Sequence, residues 1–301
     1  MFRVGLLSSA NAEVARFFWA ALEDRLRELG WQPGIDIAFD RRYAEGDLSR
    51  LDALAADLVR AKVDVIVVTR GETGAGAARR ATVTIPIVAI DMVDPVGHGF
   101  AASLARPGGN VTGLAWNAVG AQLYAKPLEY LRELRPRLSR AVGLHLGAPI
   151  WASIEAEARA SARSIGIALD CIELPLSGEL DAAFGAAKQA GAEALLFWPT
   201  GIADAWLARF AKRALDERLP SASQHVWYPR EGGLLGYGPP PGESFRRAAD
   251  YVDKILRGAK PGDLPIDQGM RLELVLNRRC AAALGIEVPR PLLLRADRVI
   301  E

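Results

Sequence analysis

Hydrophobic positions along this chain switch repeatedly between two spacings, short unbroken apolar runs and recurrences every three or four residues. Runs of that kind mark strands buried on both faces, and the longer period marks helices. Their alternation predicts α/β layers around parallel sheets. Residues 4–7 give the first strand. Asn11 stands where it can cap a helix whose apolar positions Val14, Phe18, Leu22, Leu26 and Leu29 recur at helical spacing, closed by Gly30. A strand over 35–39 follows, then a helix marked by Leu48, Leu51, Leu54, Leu58 and Val59, then a doubly buried strand over 63–69. Small residues at 74–78 open a helix able to lie close to the sheet.

Residues 85–113 complete this first half. Pro86 opens an apolar strand over 85–90, and Asp91 and Asp94 follow at once. Asp94-Pro95 sets a capping residue before a proline suited to the first helical turn, so a short helix is predicted, carried by Ala101, Ala102, Leu104 and Ala105 and stopped by 106–109. Residues 111–116 read as the next strand. The rhythm then repeats: a helix to Leu134, strand 141–146, helix 154–165, strand 167–174, helix 180–190, strand 194–198 and helix 203–217. Residues 223–227 and 234–237 are shorter, less regular strand candidates. The run Pro239-Pro240-Pro241-Gly242 is the clearest break, and 245–256 after it reads as an amphipathic helix.

A chain of 301 residues exceeds the roughly 250 that one hydrophobic core serves, so two domains are expected. A late break suits a chain that crosses back to where it began. The expected division is 1–117 with about 242–265, and 118–241 with about 266–301, joined by a hinge with a ligand cleft between them. Each would be a doubly wound parallel sheet.

Composition narrows the partners. A formal net charge of +1 with 24% charged residues gives no electrostatic footprint for nucleic acid or an anionic membrane surface. No stretch approaches the ~20 consecutive apolar residues of a membrane span, so direct membrane insertion is not expected. The two cysteines, Cys171 and Cys280, fall in a predicted strand and a predicted helix far apart in sequence, and buried free thiols are the expectation.

Open α/β sheets bind ligands beyond the carboxyl ends of their strands. The candidate ligand-binding residues are therefore Ser8 and Ser9 after the first strand, Thr69, Arg70, Gly71, Glu72 and Thr73 after the third, and Asp91 after the fourth. Trp116 and Asn117 stand at the crossing, Trp198 and Thr200 follow a strand of the second half, and His225 and Trp227 stand near its end. Tryptophans 116, 151, 198 and 227 gather at these mouths and would serve as stacking walls. Glu72, Asp91 and Asp94 are candidate acceptors for an ammonium, and N–H groups at the helix starts after Ser9 and Thr73 for a carboxylate; together they suit an amino acid. Arg70 either meets that carboxylate or pairs with Glu72, and Asp94 has the competing role of helix cap.

Other chemistries lack their patterns. The Gly71-Glu72-Thr73-Gly74-Ala75-Gly76 run has the wrong spacing for a dinucleotide fold, and no phosphate loop is present. His98, His145 and His225 are widely separated and neither cysteine has a partner at ligand spacing, so no metal and no cofactor are expected. No Gly-x-Ser-x-Gly elbow accompanies the serines. No catalytic residue is assigned. The enzyme alternative is a two-domain racemase or isomerase using two cysteines, which should then lie in loops at strand ends.

The motifs Asp94-Pro95-Val96-Gly97 and Ser103-Leu104-Ala105-Arg106-Pro107-Gly108-Gly109-Asn110-Val111-Thr112-Gly113 resemble the signature of the tryptophan/tyrosine-type substrate-binding proteins of ABC uptake systems. The tail agrees: Lys260-Pro261, Asp263-Leu264-Pro265, Leu274-Val275-Leu276-Asn277, Ala283-Leu284-Gly285 and Arg295-Ala296-Asp297 resemble that family's closing segment. The resemblance implies a fold like the type 1 periplasmic binding proteins, hinge closure over a small ligand, and delivery to the permease subunits of an importer. It also implies an amino-acid ligand, aromatic ones included, and no enzymatic activity. Family members are exported. Met1-Phe2-Arg3 runs straight into strand-like sequence, so the expectation is a periplasmic protein whose signal peptide has been removed, the alternative being a cytoplasmic ligand-sensing domain. Two segments depart from the family's pattern: Arg70-Gly71-Glu72 stands where a small, uncharged loop is usual, and Gly147-Ala148-Pro149 where Asn-Pro is common.

Overall fold

The computed structural model describes residues 1–69, 71–115, 120–146, 151–174, 180–198, 204–269 and 271–301. Four of the candidate residues, Arg70, Trp116, Asn117 and Thr200, lie outside the described residues. By its internal contacts the chain divides into two units, Met1–Ala118 with Pro241–Met270 and Val119–Pro240 with Arg271–Glu301, so it passes from one to the other three times.

The first unit holds β1 (Phe2–Ser8), α1 (Ala12–Glu28), β2 (Ile37–Tyr43), α2 (Leu51–Arg60), β3 (Val65–Val68), α3 (Gly71–Ala81), β4 (Ile87–Met92), β5 (Val111–Ala115) and, from late in the sequence, α8 (Glu243–Leu256). Its five strands are all parallel in the order β2-β1-β3-β4-β5. Alternate side chains feed two cores. Val4, Leu6, Val65, Val67, Val88 and Ile90 pack with α1 and α8, while Leu7, Ile66, Val68, Ile87 and Ala89 pack with α2 and α3. Helices on both faces of a parallel sheet are the doubly wound arrangement that the apolar runs predict.

Asn11 does cap α1, its side-chain oxygen accepting the Val14 N–H at 2.9 Å. The buried stripe is displaced from expectation, however. Val14 is 48% exposed, and Ala15, Trp19, Leu22 and Leu26 face inward. The reason lies over two hundred residues away: α8 covers α1, with Phe245 stacked on Phe18 at 5.1 Å and met edge-on by Trp19 at 5.2 Å. A helix held by both a sheet and a second helix turns its largest side chains toward the seam they share. Polar ties reinforce that seam, Arg25 to Asp250 at 2.9 Å and the Trp31 indole N–H to Asp253 at 2.9 Å.

The predicted helix after Asp94 does not form. Residues 95–100 wind a single turn in which the Phe100 and Ala101 N–H groups both reach back to the Pro95 carbonyl at 2.9 and 3.1 Å, too long a reach to propagate an α-helix. Strand β2 also starts later and runs further than 35–39, because it follows β1 residue for residue from Phe2↔Ile37 to Ser8↔Tyr43.

The second unit holds α4 (Gly120–Leu134), β6 (Arg140–Leu146), α5 (Trp151–Ser164), β7 (Ala168–Leu174), α6 (Leu180–Gln189), β8 (Ala194–Trp198), α7 (Asp204–Asp216), β9 (Ser221–Ser223), β10 (Leu235–Gly238), β11 (Glu273–Asn277), α9 (Arg278–Ala283), α10 (Arg290–Arg295) and β12 (Arg298–Ile300). Strand order is β12-β11-β10-β9-β8-β6-β7, parallel except where β10 meets β11. Asn277 closes this sheet's late addition. It caps α9 by accepting the Cys280 N–H at 2.9 Å and donates from its own amide to the Pro229 carbonyl at 2.8 Å, so a buried polar side chain is satisfied on both sides. The expected strand over 223–227 is shorter and earlier, since β9 ends at Ser223 and leaves 224–227 as a loop.

Candidate ligand-binding residues

In the first unit β1 lies between β2 and β3, so connections leave to opposite sides on either side of the β1–β3 gap, the place where such sheets accept ligands. Ser9 and Thr69 flank it. The Ser9 N–H donates to the Thr69 hydroxyl oxygen at 3.2 Å, and the Ala10 N–H donates to the Ser8 hydroxyl oxygen at 3.1 Å. These two N–H groups precede the helix, and at the helix start itself the Val14 N–H is taken by the Asn11 cap. A hydroxyl that accepts a bond keeps its own proton to donate. Donor capacity at this gap therefore passes from backbone N–H to the Ser and Thr O–H groups, with Thr69 and Ser9 half-buried and Ser8 fully buried.

Gly71 opens α3 with φ +48°, and a Cβ there would sit 2.3 Å from the Asp91 carbonyl oxygen. Only glycine admits both the left-handed backbone and that approach. Its absence of side chain brings the start of α3 against the end of β4. There Asp91 has φ +66°, at a shift of register between Ala89 and Met92 where β4 meets β5. A left-handed backbone costs a non-glycine residue about 1–2 kcal/mol, and such residues concentrate at functional sites. Glu72 Oε1 accepts the N–H groups of Val93 at 2.5 Å and Asp94 at 2.7 Å, pinning the loop that follows Asp91. Asp94 in turn accepts the Gly97 N–H at 2.8 Å and caps the turn, its structural role. Thr73 is exposed in the first turn of α3.

In the second unit the corresponding gap lies between β6 and β8, and most of the connecting residues there, 147–150 and 199–203, are outside the described residues. Two side chains at the strand ends are described. His145, 3% exposed, meets Glu155 of α5 through Nε2 at 2.9 Å. Trp198 is 0% exposed and belongs to the core with Leu128, Leu131 and Leu196, which corrects its assignment as a stacking wall. Gly143 on the neighbouring strand leaves the space it fills, since a Cβ at 143 would lie 2.5 Å from the indole ring. Strand-end position alone does not reveal such burial.

His225 and Trp227 behave otherwise. Both are half-buried, their rings 4.2 Å apart and tilted by 44°, in the loop that follows β9. The Ser223 hydroxyl oxygen accepts the His225 N–H at 3.3 Å. Strand β10 carries the loop on its glycines, for a Cβ at Gly238 would lie 1.9 Å from the Gln224 carbonyl oxygen. Gln224, half-buried beside His225, is a candidate that sequence reasoning missed; the alternating Gly236 and Gly238 were the available signal of a loop pressed onto that strand.

Cys171 lies within β7 and Cys280 in the first turn of α9, neither in a loop at a strand end as a two-thiol enzyme would require. Both are free, and burial pushes each thiol up to about 11. Among the described residues no group of three His, Cys, Asp or Glu side chains is placed to hold a metal ion. No described helix is long and apolar enough to cross a membrane.

The sequence profile of the family described as ABC transporter substrate binding protein matches residues 18–300. A tyrosine-binding protein of Clostridioides difficile is 24% identical over 272 residues, which are 90% of this chain and 76% of that protein. Among solved structures, a conserved domain protein of Vibrio cholerae superimposes with a TM-score of 0.81 at 25% identity, covering 99% of each chain. A Streptococcus pneumonia ABC domain in complex with L-Trp superimposes with a TM-score of 0.80 at 22% identity, again covering 99% of each.

Proposed function

The chain belongs to the ABC transporter substrate-binding protein family, and from that premise we propose that its ligand is a free α-amino acid with an aromatic side chain. Capture without chemistry followed by delivery to a membrane permease is the role that comes with the family. The observation that carries the ligand reading is the first unit's strand-end cluster, where hydroxyl donors of Ser9 and Thr69 stand beside β3 and the strained Asp91 ends β4. The reading assigns the ligand's ammonium to Asp91 and its carboxylate to the hydroxyls of Ser9, Thr69 and Thr73, with Arg70 as a further cation for it. Its ring is assigned to His225 and Trp227, with Trp116, Asn117 and Thr200 completing the set. The names of two relatives, one tyrosine-binding and one in complex with L-Trp, support the same chemistry.

Thermal unfolding against L-Trp, L-Tyr, L-Phe, tryptamine and indole-3-propionate tests it. A ligand present at 100 times its Kd adds about 2.7 kcal/mol, a plain upward shift in Tm. The expected result is a shift with one or more of the amino acids, little with the analogues lacking the carboxylate or the ammonium, and loss of the shift in Asp91→Asn. Equal shifts with tryptamine and the amino acids would remove the carboxylate assignment. No shift with any of them, on protein shown by native mass spectrometry to carry nothing already bound, would end the amino-acid reading.

A further inference from the structure

Strand β2 ends the first unit's sheet, and no described strand lies on its far side. Its register with β1 decides which groups are left over. The Phe2 N–H donates to the Asp36 carbonyl and the Ala44 N–H to the Ser8 carbonyl, so even-numbered residues bond to β1 and odd-numbered residues turn their N–H and C=O groups outward. At Ile37 the outward carbonyl is taken by the Gly34 N–H at 2.8 Å. Phe39, Arg41 and Tyr43 keep an open edge, reached among the described residues by the Arg42 guanidinium, whose Nη1 donates to the Arg41 carbonyl at 2.9 Å. Beyond Tyr43 the chain turns in toward β1, the Gly46 N–H meeting the Ser9 carbonyl at 2.8 Å. Charge commonly blunts such edges against pairing, and β7, an open edge of the second sheet, carries only carboxylates, Asp170 and Glu173. β2 carries both signs two residues apart, Asp40 and Arg42.

We propose that the first unit docks on a second copy of this chain along β2, antiparallel about a two-fold axis at Arg41. That axis sets Phe39 opposite the partner's Tyr43, with outward N–H and C=O groups facing each other, and Asp40 opposite the partner's Arg42. Sliding one allowed step either way sets Asp40 on Asp40 or Arg42 on Arg42, so charge selects a single register. Arg42 has no carboxylate partner among the described residues. Asp40 pairs with Arg3 at 2.9 Å and keeps lone pairs for a second cation. Arg41 itself is drawn off the axis, paired with Glu23 of α1 and lying 5.2 Å from the Phe39 ring. Two exposed apolar residues stand just beyond the strand's ends, Ile35 and Leu48, and the axis brings the end carrying one toward the partner's end carrying the other.

Sedimentation velocity on the full chain without ligand tests this, independently of the amino-acid reading. Expected is a mass of two chains for the parent and for Arg42→Lys, and of one chain for Arg42→Asp, which sets carboxylate against carboxylate. Arg41→Pro, which removes an outward N–H that β1 does not use, should also give one chain; Arg42→Asp decides if that variant does not fold. On a chain carrying Cys171→Ala and Cys280→Ala, Arg41→Cys should oxidise to a covalent dimer, because the axis sets its two Cα atoms about 5.5 Å apart, within a disulfide's span. Ala53→Cys, exposed on α2, is the control that should not. A parent that sediments as one chain at every concentration would overturn the proposal. So would a two-chain mass that persists in Arg42→Asp, or Arg41→Cys cross-linking no faster than Ala53→Cys.

Discussion

In the first unit the loops at the carboxyl ends of the strands are tied by polar bonds to backbone: Thr69 holds the Ser9 N–H, Ser8 holds Ala10, and Glu72 holds Val93 and Asp94. In the second unit the described loop of the same kind, 224–227, has one such bond, from the His225 N–H to Ser223, and is seated chiefly by close approach, with the Gln224 carbonyl against Gly238, as Gly71 seats α3 in the first, while Trp198 is sunk into the space beside Gly143. Each method leaves a different surface. Bonds from side chain to backbone engage N–H groups and the Glu72 and Asp94 carboxylates at the first mouth, where the Ser and Thr hydroxyls and Asp91 also stand. Glycine seating at the second holds a loop that carries the half-buried aromatic pair His225 and Trp227.

Removing the largest packed group should have the largest effect. Trp198→Ala is expected to cost about 3–5 kcal/mol in urea unfolding, the usual range for a fully buried tryptophan. A small loss of stability joined to a large loss of ligand-induced Tm shift would instead return Trp198 to the ligand wall. Gly238→Ala should come next, at about 1–3 kcal/mol for forcing a methyl against a carbonyl, and it should disturb the His225 and Trp227 ring resonances in NMR spectra. An unperturbed pair of rings would show that glycine seating does not place that loop. Asp91→Gly points the other way. Relief of its left-handed backbone should raise stability by about 1 kcal/mol while the ligand-induced shift in Tm disappears, a gain in one property and a loss in the other at a single residue. If stability falls, the strain is compensated locally and the first mouth is less costly to hold than its backbone suggests.

The smallest effect separates the units by pH. Both thiols belong to the second, and burial raises both above the ordinary thiol range, to about 11. A raised folded value favours the neutral thiol, so its contribution is complete below the unfolded value near 9 and fades as pH climbs toward about 11. Alkaline weakening from this source should appear in hydrogen exchange of the second unit and not of the first. Iodoacetamide should not label Cys280 at neutral pH until the protein is unfolded; its rapid labelling in the native chain at pH 7 would contradict the burial of that group.

Much of the layering was open to reading because it rests on local chemistry. Apolar runs of parallel strands, the cap at Asn11 and the break at 239–242 are all short-range signals, and the structure has each of them. What escaped notice depends on neighbours distant in sequence. Trp19 rather than Val14 faces inward because Phe245 waits across the seam, and Trp198 is core because a glycine 55 positions earlier makes room. The winding at 95–100 stops after one turn although Asp94-Pro95 is a fair helix start, since the carbonyl of Pro95 is shared by two later N–H groups. Among the proposed ligand residues, residue type and strand-end position picked out Asp91, yet the left-handed backbone that singles it out from Glu72 and Asp94 is set by contacts across β4 and β5.

The late placement of α8 has a consequence for how the chain is born. Trp19 and Phe18 meet Phe245 of α8, and the second unit's sheet takes in β11 and β12 only after residue 272 has been made. Synthesis from the amino end therefore yields neither unit in finished form ahead of the other; both close their cores at nearly the same late moment, through contacts of long sequence separation that form slowly. A chain of this design keeps its apolar seams open until residues 243–300 have been made.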